Sequence, residues 1–176
     1  MKIQKDSNDQ YHSHNSISAS GLKTIYKKSV YHFLNQQYKE TPAMALGTAV
    51  HQAILEPDNF YDLYHLIEKI DKRTKAGKLE FEKQMELAKG KIILESDTHE
   101  IIKSILENFR KNDLAKKYCK GEIELSHYLK YKNIDVRVRP DCINRISNFI
   151  CDVKTCQDNS PDAFKRDVYK WGYHLQ

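Results

Sequence analysis

Apolar residues first recur at helical spacing at Leu22, Ile25, Tyr26, Val30, Phe33 and Leu34, which predicts a helix capped by Ser18 or Ser20 and running to about Tyr38. Thr41-Pro42 opens a second helix, Ala43 to Leu55, closed by Glu56-Pro57. Small residues dominate it: Ala43, Ala45, Gly47, Ala49 and Ala53 leave little bulk between its backbone and whatever it packs on, so it is expected to be buried. From about Phe60 to Lys91 the chain is charged and mostly helical in composition, with Arg73-Thr74-Lys75-Ala76-Gly77-Lys78 as a basic interruption. Asp97 with Glu100 predicts a capping box for a helix to about Arg110, its stripe formed by Ile101, Ile102, Ile105, Leu106 and Phe109.

The period then changes. From Glu122 to Tyr131 the alternation is strict, with Ile123, Leu125, Leu129 and Tyr131 on one face and Glu122, Glu124, Ser126, Tyr128 and Lys130 on the other. It resumes after Lys132-Asn133, with Ile134, Val136 and Val138 opposed to Asp135, Arg137, Arg139 and Asp141, which predicts a hairpin. A third strand, Phe149 to Lys154, follows, and Ser160-Pro161-Asp162 starts a helix by cap and first-turn proline. The order is helices, three strands, helix. Residues 1 to 16 are polar and are expected to form a flexible arm, leaving residues 17–176 as one domain.

Composition narrows the class. A chain of 176 residues that is 40% hydrophobic and 30% charged is one domain's worth of material able to bury a core. No apolar run approaches the roughly 20 residues of a bilayer span, and the first ten residues have no apolar signal region. These features predict a cytoplasmic protein with no membrane partner. The net charge of +5 permits a phosphate-rich partner without requiring one. Cys119, Cys142, Cys151 and Cys156 show no CxxC pair and no zinc-finger spacing, and read as free thiols.

Candidate chemistry lies on the strands. If Lys132 and Asn133 are the central residues of the hairpin turn, paired positions sum to 265, and Glu124 lies opposite Asp141. Like charges directly opposite destabilise a sheet unless they are solvated or hold a cation between them. Asp152 and Lys154, two apart on a strand, point to the same side, so three acids and a lysine are expected to converge. That set suits phosphodiester cleavage: Mg²⁺ takes hard carboxylate oxygens and keeps several waters, while a lysine stabilises charge on the phosphate. Arg137 and Arg139 share the Asp141 face and are candidates either to meet phosphates in DNA or to pair with Glu124 and Asp135. Tyr128, opposite Arg137, is expected to stack on it.

These motifs resemble those of the PD-(D/E)XK nucleases, and among them the RecE (exonuclease VIII) type of phage and prophage exodeoxyribonuclease. The resemblance rests on Arg137-Val138-Arg139-Pro140-Asp141, then Ile150-Cys151-Asp152-Val153-Lys154-Thr155, then Tyr173-His174-Leu175-Gln176. Upstream, Gly47-Thr48-Ala49-Val50-His51 looks like the GxxxH helix of that branch, and Ile17-Ser18-Ala19-Ser20 like its N-terminal segment. It implies an α/β (α+β), restriction-endonuclease-like core with helices packed on a short mixed sheet. It also implies that Asp141 and Asp152 bind the catalytic metal, that Lys154 is the motif lysine, and that His51 is a further metal-side ligand. Glu124 resembles the acid one strand earlier, and Gln176 the glutamine of the QxxxY element, with Tyr173 one turn before it as a candidate DNA contact. The chain stops inside that element, so the C-terminal part of the fold is expected to be missing.

The implied activity is Mg²⁺-dependent, with Mn²⁺ able to substitute, and degrades duplex DNA from its ends in the 5′ to 3′ direction. The implied partners are double-stranded DNA ends, a single-strand annealing protein and a homo-oligomeric ring. Two alternatives stand beside it: a weakly active DNA-binding or regulatory module left by truncation, and a Cas4-like nuclease with an iron–sulfur cluster.

Overall fold

The computed structural model describes residues 1–35 and 41–175, so Tyr38, the expected end of the first helix, and Gln176 lie outside the described residues. The chain opens with β1 (Lys2–Lys5) and α1 (Asn8–Ser13), which starts at a reciprocal capping box of Ser7 and Gln10. The segment expected as a flexible arm thus carries a strand and a helix. α2 (Ala19–Lys27) is capped by the Ser18 hydroxyl and stops at Lys28, where Ser29 caps a new helix, α3 (Val30–Leu34). One expected helix is therefore two, because a second serine cap intervenes.

α4 (Pro42–Leu55) has the Thr41 cap and first-turn proline that its sequence predicts. A 3₁₀ turn, Pro57–Asn59, leads to α5 (Phe60–Leu63), β2 (Tyr64–Ile67), α6 (Lys75–Ala88), β3 (Ile92–Glu95), α7 (Ser96–Lys111) and α8 (Asp113–Tyr118). The expected capping box on α7 does not form: Glu95 is the cap residue, and Asp97 instead takes the Lys69 ammonium at 2.6 Å and the Thr98 N–H at 2.8 Å. β4 (Glu122–Ile123), β5 (Leu125–Tyr131), β6 (Ile134–Val138), β7 (Cys142–Asn144) and β8 (Phe149–Cys151) precede α9 (Pro161–Trp171) and a 3₁₀ turn, Tyr173–Leu175. Among the described residues no helix is long and apolar enough to cross a membrane.

The chain divides into two compact units, Met1–Glu40 with Lys120–Gln176, and Thr41–Cys119. In the second unit β2 and β3 pair in parallel, with α6 as the crossover that a parallel pair requires. Its core joins Ala49, Val50 and Ala53 of α4 to Phe60, Tyr64, Leu94 and Ile102. The alanines let α4 approach closely, and each large apolar side chain buried there stabilises the unit by about 1.5–3 kcal/mol. Ala43 and Ala45, by contrast, are exposed, so only the C-terminal half of the small-residue helix is buried.

In the first unit the hairpin has the predicted register: His127 pairs with Val138 and Tyr131 with Ile134, each pair summing to 265. The same register holds beyond it, where Glu122 faces Ile143 and Ile123 faces Cys142. Between these stretches the ladder breaks at Glu124, whose φ of 48° is left-handed. Helices and small sheets thus make up the chain, as the expected α+β class requires, with β1-β5-β6 and β4-β7-β8 antiparallel in this unit.

The burial of the hairpin also departs from the pattern. Its polar-face residues Ser126, Tyr128 and Arg137 are buried, while Leu129, Ile134 and Val138 on the apolar face are exposed. The cause is the N-terminal segment. β1 pairs with β5, the Tyr128 hydroxyl donates to Asp6 at 2.5 Å, and Arg137 Nη1 donates to the carbonyls of His14 and Ser16.

Candidate active site

Asp141 follows Pro140 in the bend between β6 and β7. Its backbone carbonyl accepts the Glu124 N–H at 3.1 Å, so Glu124 and Asp141 meet through the main chain at the predicted register. Its carboxylate is buried and accepts the Val153 N–H at 2.5 Å. Val153 is the residue between Asp152 and Lys154, so this bond draws the Pro-Asp bend and the Asp-x-Lys segment together.

The third strand ends earlier than its sequence suggests, at Cys151 rather than Lys154. The β7–β8 register explains this. Cys142 faces Cys151, which places Pro140 opposite Val153, and proline has no N–H to contribute to a ladder. The Asp141 carboxylate takes the Val153 N–H instead, and the chain leaves the sheet. Asp152 and Lys154 still reach one another: Lys154 Nζ forms an ion pair with Asp152 Oδ2.

α9 ends at Trp171 with Gly172 in the left-handed region, φ 67°, as the helix C-cap. The turn that follows sets Tyr173 with its ring centroid 5.4 Å from Lys154 Nζ. Burial and the nearby Asp167, Cys156 and Asp152 push the Tyr173 phenol above its ordinary range, so it stays protonated near neutral pH. Gln176 lies outside the described residues.

Lys23 of α2 also comes to this place, with its Nζ 5.7 Å from the Tyr173 centroid. Burial lowers its ammonium below the ordinary lysine range, Lys154 repels it further, and Asp152 draws it back up. No sequence pattern points to Lys23, because α2 and the Asp-x-Lys segment are 129 residues apart and only the fold joins them. Gly172 was open to reading, since a glycine after a helical run is a standard stop signal.

The other predicted residues lie elsewhere. Arg137 is buried, its guanidinium spent on the carbonyls of His12, His14 and Ser16. Arg139 donates to Asn8 Oδ1 at 2.5 Å, and Arg137 and Arg139 lie 5.1 and 4.3 Å from the Tyr11 ring centroid. The partners that both arginines take lie in the N-terminal segment rather than on the strand acids. Tyr128 faces Arg137 in the register, but its ring packs at a tilt against His14, centroids 4.2 Å apart. His51 stands half-buried on α4 in the second unit, and its assignment as a ligand rests on the sequence motif. The four cysteines are thiols rather than disulfides, with Cys142 and Cys151 directly opposite across β7–β8. A hollow of about 380 Å³ beside Met1, His14, Tyr128, Lys130 and Asp135 contains none of the candidate acids.

Among the described residues no three His, Cys, Asp or Glu side chains gather to enclose a metal. The Asp141 carboxylate, held at the Val153 amide next in sequence to Asp152, is of the kind that fits a hard divalent cation such as Mg²⁺, which binds through one or two carboxylates and retains its waters.

The sequence profile of a family described as a PDDEXK-like domain of unknown function (DUF3799) matches residues 18–176. The chain belongs to that family, and so to the PD-(D/E)XK superfamily. No curated protein matches it.

Proposed function

We propose that this member of the PDDEXK-like family is a divalent-metal-dependent deoxyribonuclease, and that residues 17–176 act together as its nuclease domain. The observation that carries the reading is the bond from the Val153 N–H to the Asp141 carboxylate, which brings the acid of the Pro-Asp bend to the Asp152-Val153-Lys154 segment. Asp141 and Asp152 are the residues that would hold the cation, and Glu124 joins Asp141 through the backbone. When bound there, Mg²⁺ or Mn²⁺ supplies a polarised water and neutralises charge on the scissile phosphate.

The chain's own contribution is positional and electrostatic. The Val153 amide fixes the Asp141 carboxylate in one rotamer, Lys154 holds positive charge beside Asp152, and the protonated Tyr173 offers a wall for the Lys154 ammonium. Such groups accelerate cleavage by standing where negative charge develops on the phosphorus oxygens. The RecE-type motif order further supports an exonuclease that degrades one strand from the 5′ end of a duplex. On that reading the partners are duplex ends, a single-strand annealing protein that takes the exposed 3′ strand, and further copies of the chain in a ring.

The test is the release of nucleotides from linear and from covalently closed circular duplex DNA with Mg²⁺. Release from the linear form alone, with loss of a 5′ label before a 3′ label, supports the exonuclease reading. Equal attack on the circle indicates an endonuclease on the same site.

A further inference from the structure

Two lysines from opposite ends of the chain meet at one aromatic ring. Lys154 Nζ lies 5.4 Å and Lys23 Nζ 5.7 Å from the Tyr173 centroid. The arrangement is built by the fold rather than left to a loose surface side chain. The aliphatic stem of Lys23 passes over Gly172, where a Cβ would come within 3.4 Å of Lys23 Cδ and 3.5 Å of its Cγ. The stem thus lies in van der Waals range of the C-cap of α9, and its ammonium reaches the next residue, Tyr173. Lys27, one turn further along α2, ties the same junction by donating to the Lys170 carbonyl.

The electrostatics agree with that placement: Lys23 is repelled by Lys154 and attracted by Asp152, so it shares the field of the Asp-x-Lys pair. A backbone phosphate that enters a nuclease site beside Asp152 meets both of these positive charges.

We infer that Lys23 is a phosphate-binding residue of this site, its ammonium contacting the nucleic-acid backbone beside the phosphate that faces Lys154. The inference rests on the nuclease reading of Asp141, Asp152 and Lys154, and adds to it a residue from α2 that belongs to none of the motifs. Lysine serves here as a point charge on a flexible stem, so arginine at the same position can replace it in charge.

The experiment is equilibrium binding of a short fluorescent duplex DNA, measured by anisotropy across a salt series in EDTA, where nothing is cut. Wild type, Lys23→Gln and Lys23→Arg are compared, and melting temperatures verify that each variant is folded. Lys23→Gln is expected to weaken binding on the order of tenfold at fixed salt and to reduce the log–log salt slope by about one, as for loss of one phosphate contact. Lys23→Arg is expected to keep the wild-type slope. Wild-type affinity and slope in Lys23→Gln overturn the inference, as does weaker binding with an unchanged slope or a Lys23→Arg that fails to restore it. If wild type binds no DNA in EDTA, the inference falls, and nucleotide release with Mg²⁺ decides the nuclease reading separately; if wild type binds and cleaves while Lys23→Gln binds equally well, the inference falls alone.

Discussion

The carboxylate of Asp141 accepts the backbone N–H of Val153 at 2.5 Å, in the place where proline at position 140 leaves the sheet without a donor. One side chain therefore both ends the β7–β8 pairing and fixes the acid of the site. These two roles separate by mutation. Asp141→Asn keeps an acceptor oxygen for Val153 and is expected to melt near wild type while losing cleavage. Asp141→Ala leaves the N–H without that acceptor and is expected to cost about 1–3 kcal/mol in addition. Chemical denaturation of both variants checks this, and equal stability of the two would show that the bond contributes nothing to the fold.

Lys154 pairs with Asp152, and its ammonium has no lone pair to offer a metal. Lys154→Ala is expected to lower turnover by about 10²–10³-fold, as when one charge-stabilising donor is removed, with metal affinity retained. Mg²⁺ and Mn²⁺ are expected to support cleavage, and Ca²⁺ to raise the melting temperature without supporting it, because calcium holds its ligands in looser geometry. Titration calorimetry with Mn²⁺ separates the two effects. Loss of metal binding in Lys154→Ala would make the lysine an organiser of the site instead.

Arg137 is a structural residue on this account. Its guanidinium holds three backbone carbonyls of the N-terminal segment, so Arg137→Ala is expected to destabilise the protein by on the order of 3 kcal/mol. Arg139→Ala, losing one side-chain partner, is expected to cost about 1 kcal/mol or less. Urea unfolding compares them. A stable Arg137→Ala with weakened DNA binding would return Arg137 to the DNA-contact role.

The Asp6–Tyr128 bond sets a pH dependence. The Tyr128 hydroxyl holds the Asp6 carboxyl below its ordinary value of 3.8. A carboxyl depressed in the folded state contributes its stability in full above the unfolded value, near pH 4, and loses it as pH falls through the lower folded value. The melting temperature is therefore expected to drop, as pH falls below about 4, more steeply in wild type than in Asp6→Asn. Identical slopes would show that the N-terminal strand is held by its β5 pairing alone.

Much of this was legible in the sequence, and what was not has physical reasons. The hairpin register could be read because a two-residue turn fixes every pair, and Thr41-Pro42 announced α4 through its cap. The break at Glu124 could not, since nothing in a glutamate signals φ of 48°. β2 and β3 were hidden because Tyr64–Ile67 and Ile92–Glu95 are four residues each and pair across a helix. Burial of Ser126, Tyr128 and Arg137 escaped because the alternation shows two faces without showing which one the N-terminus covers. At the site, the Pro-Asp and Asp-x-Lys pieces were visible in one dimension, whereas Lys23 is joined to them only by the junction of α2 with Gly172 and Tyr173.

The central claim is that Asp141, Asp152 and Lys154 form a metal-dependent nuclease site. Its most direct test is the release of acid-soluble nucleotides from linear duplex DNA by wild type and by Asp152→Asn, each with Mg²⁺ and with EDTA. The account predicts release by wild type with Mg²⁺, none in EDTA, and at least about a hundredfold less from the near-isosteric Asp152→Asn. Equal release by the two proteins, or undiminished release in EDTA, would contradict it.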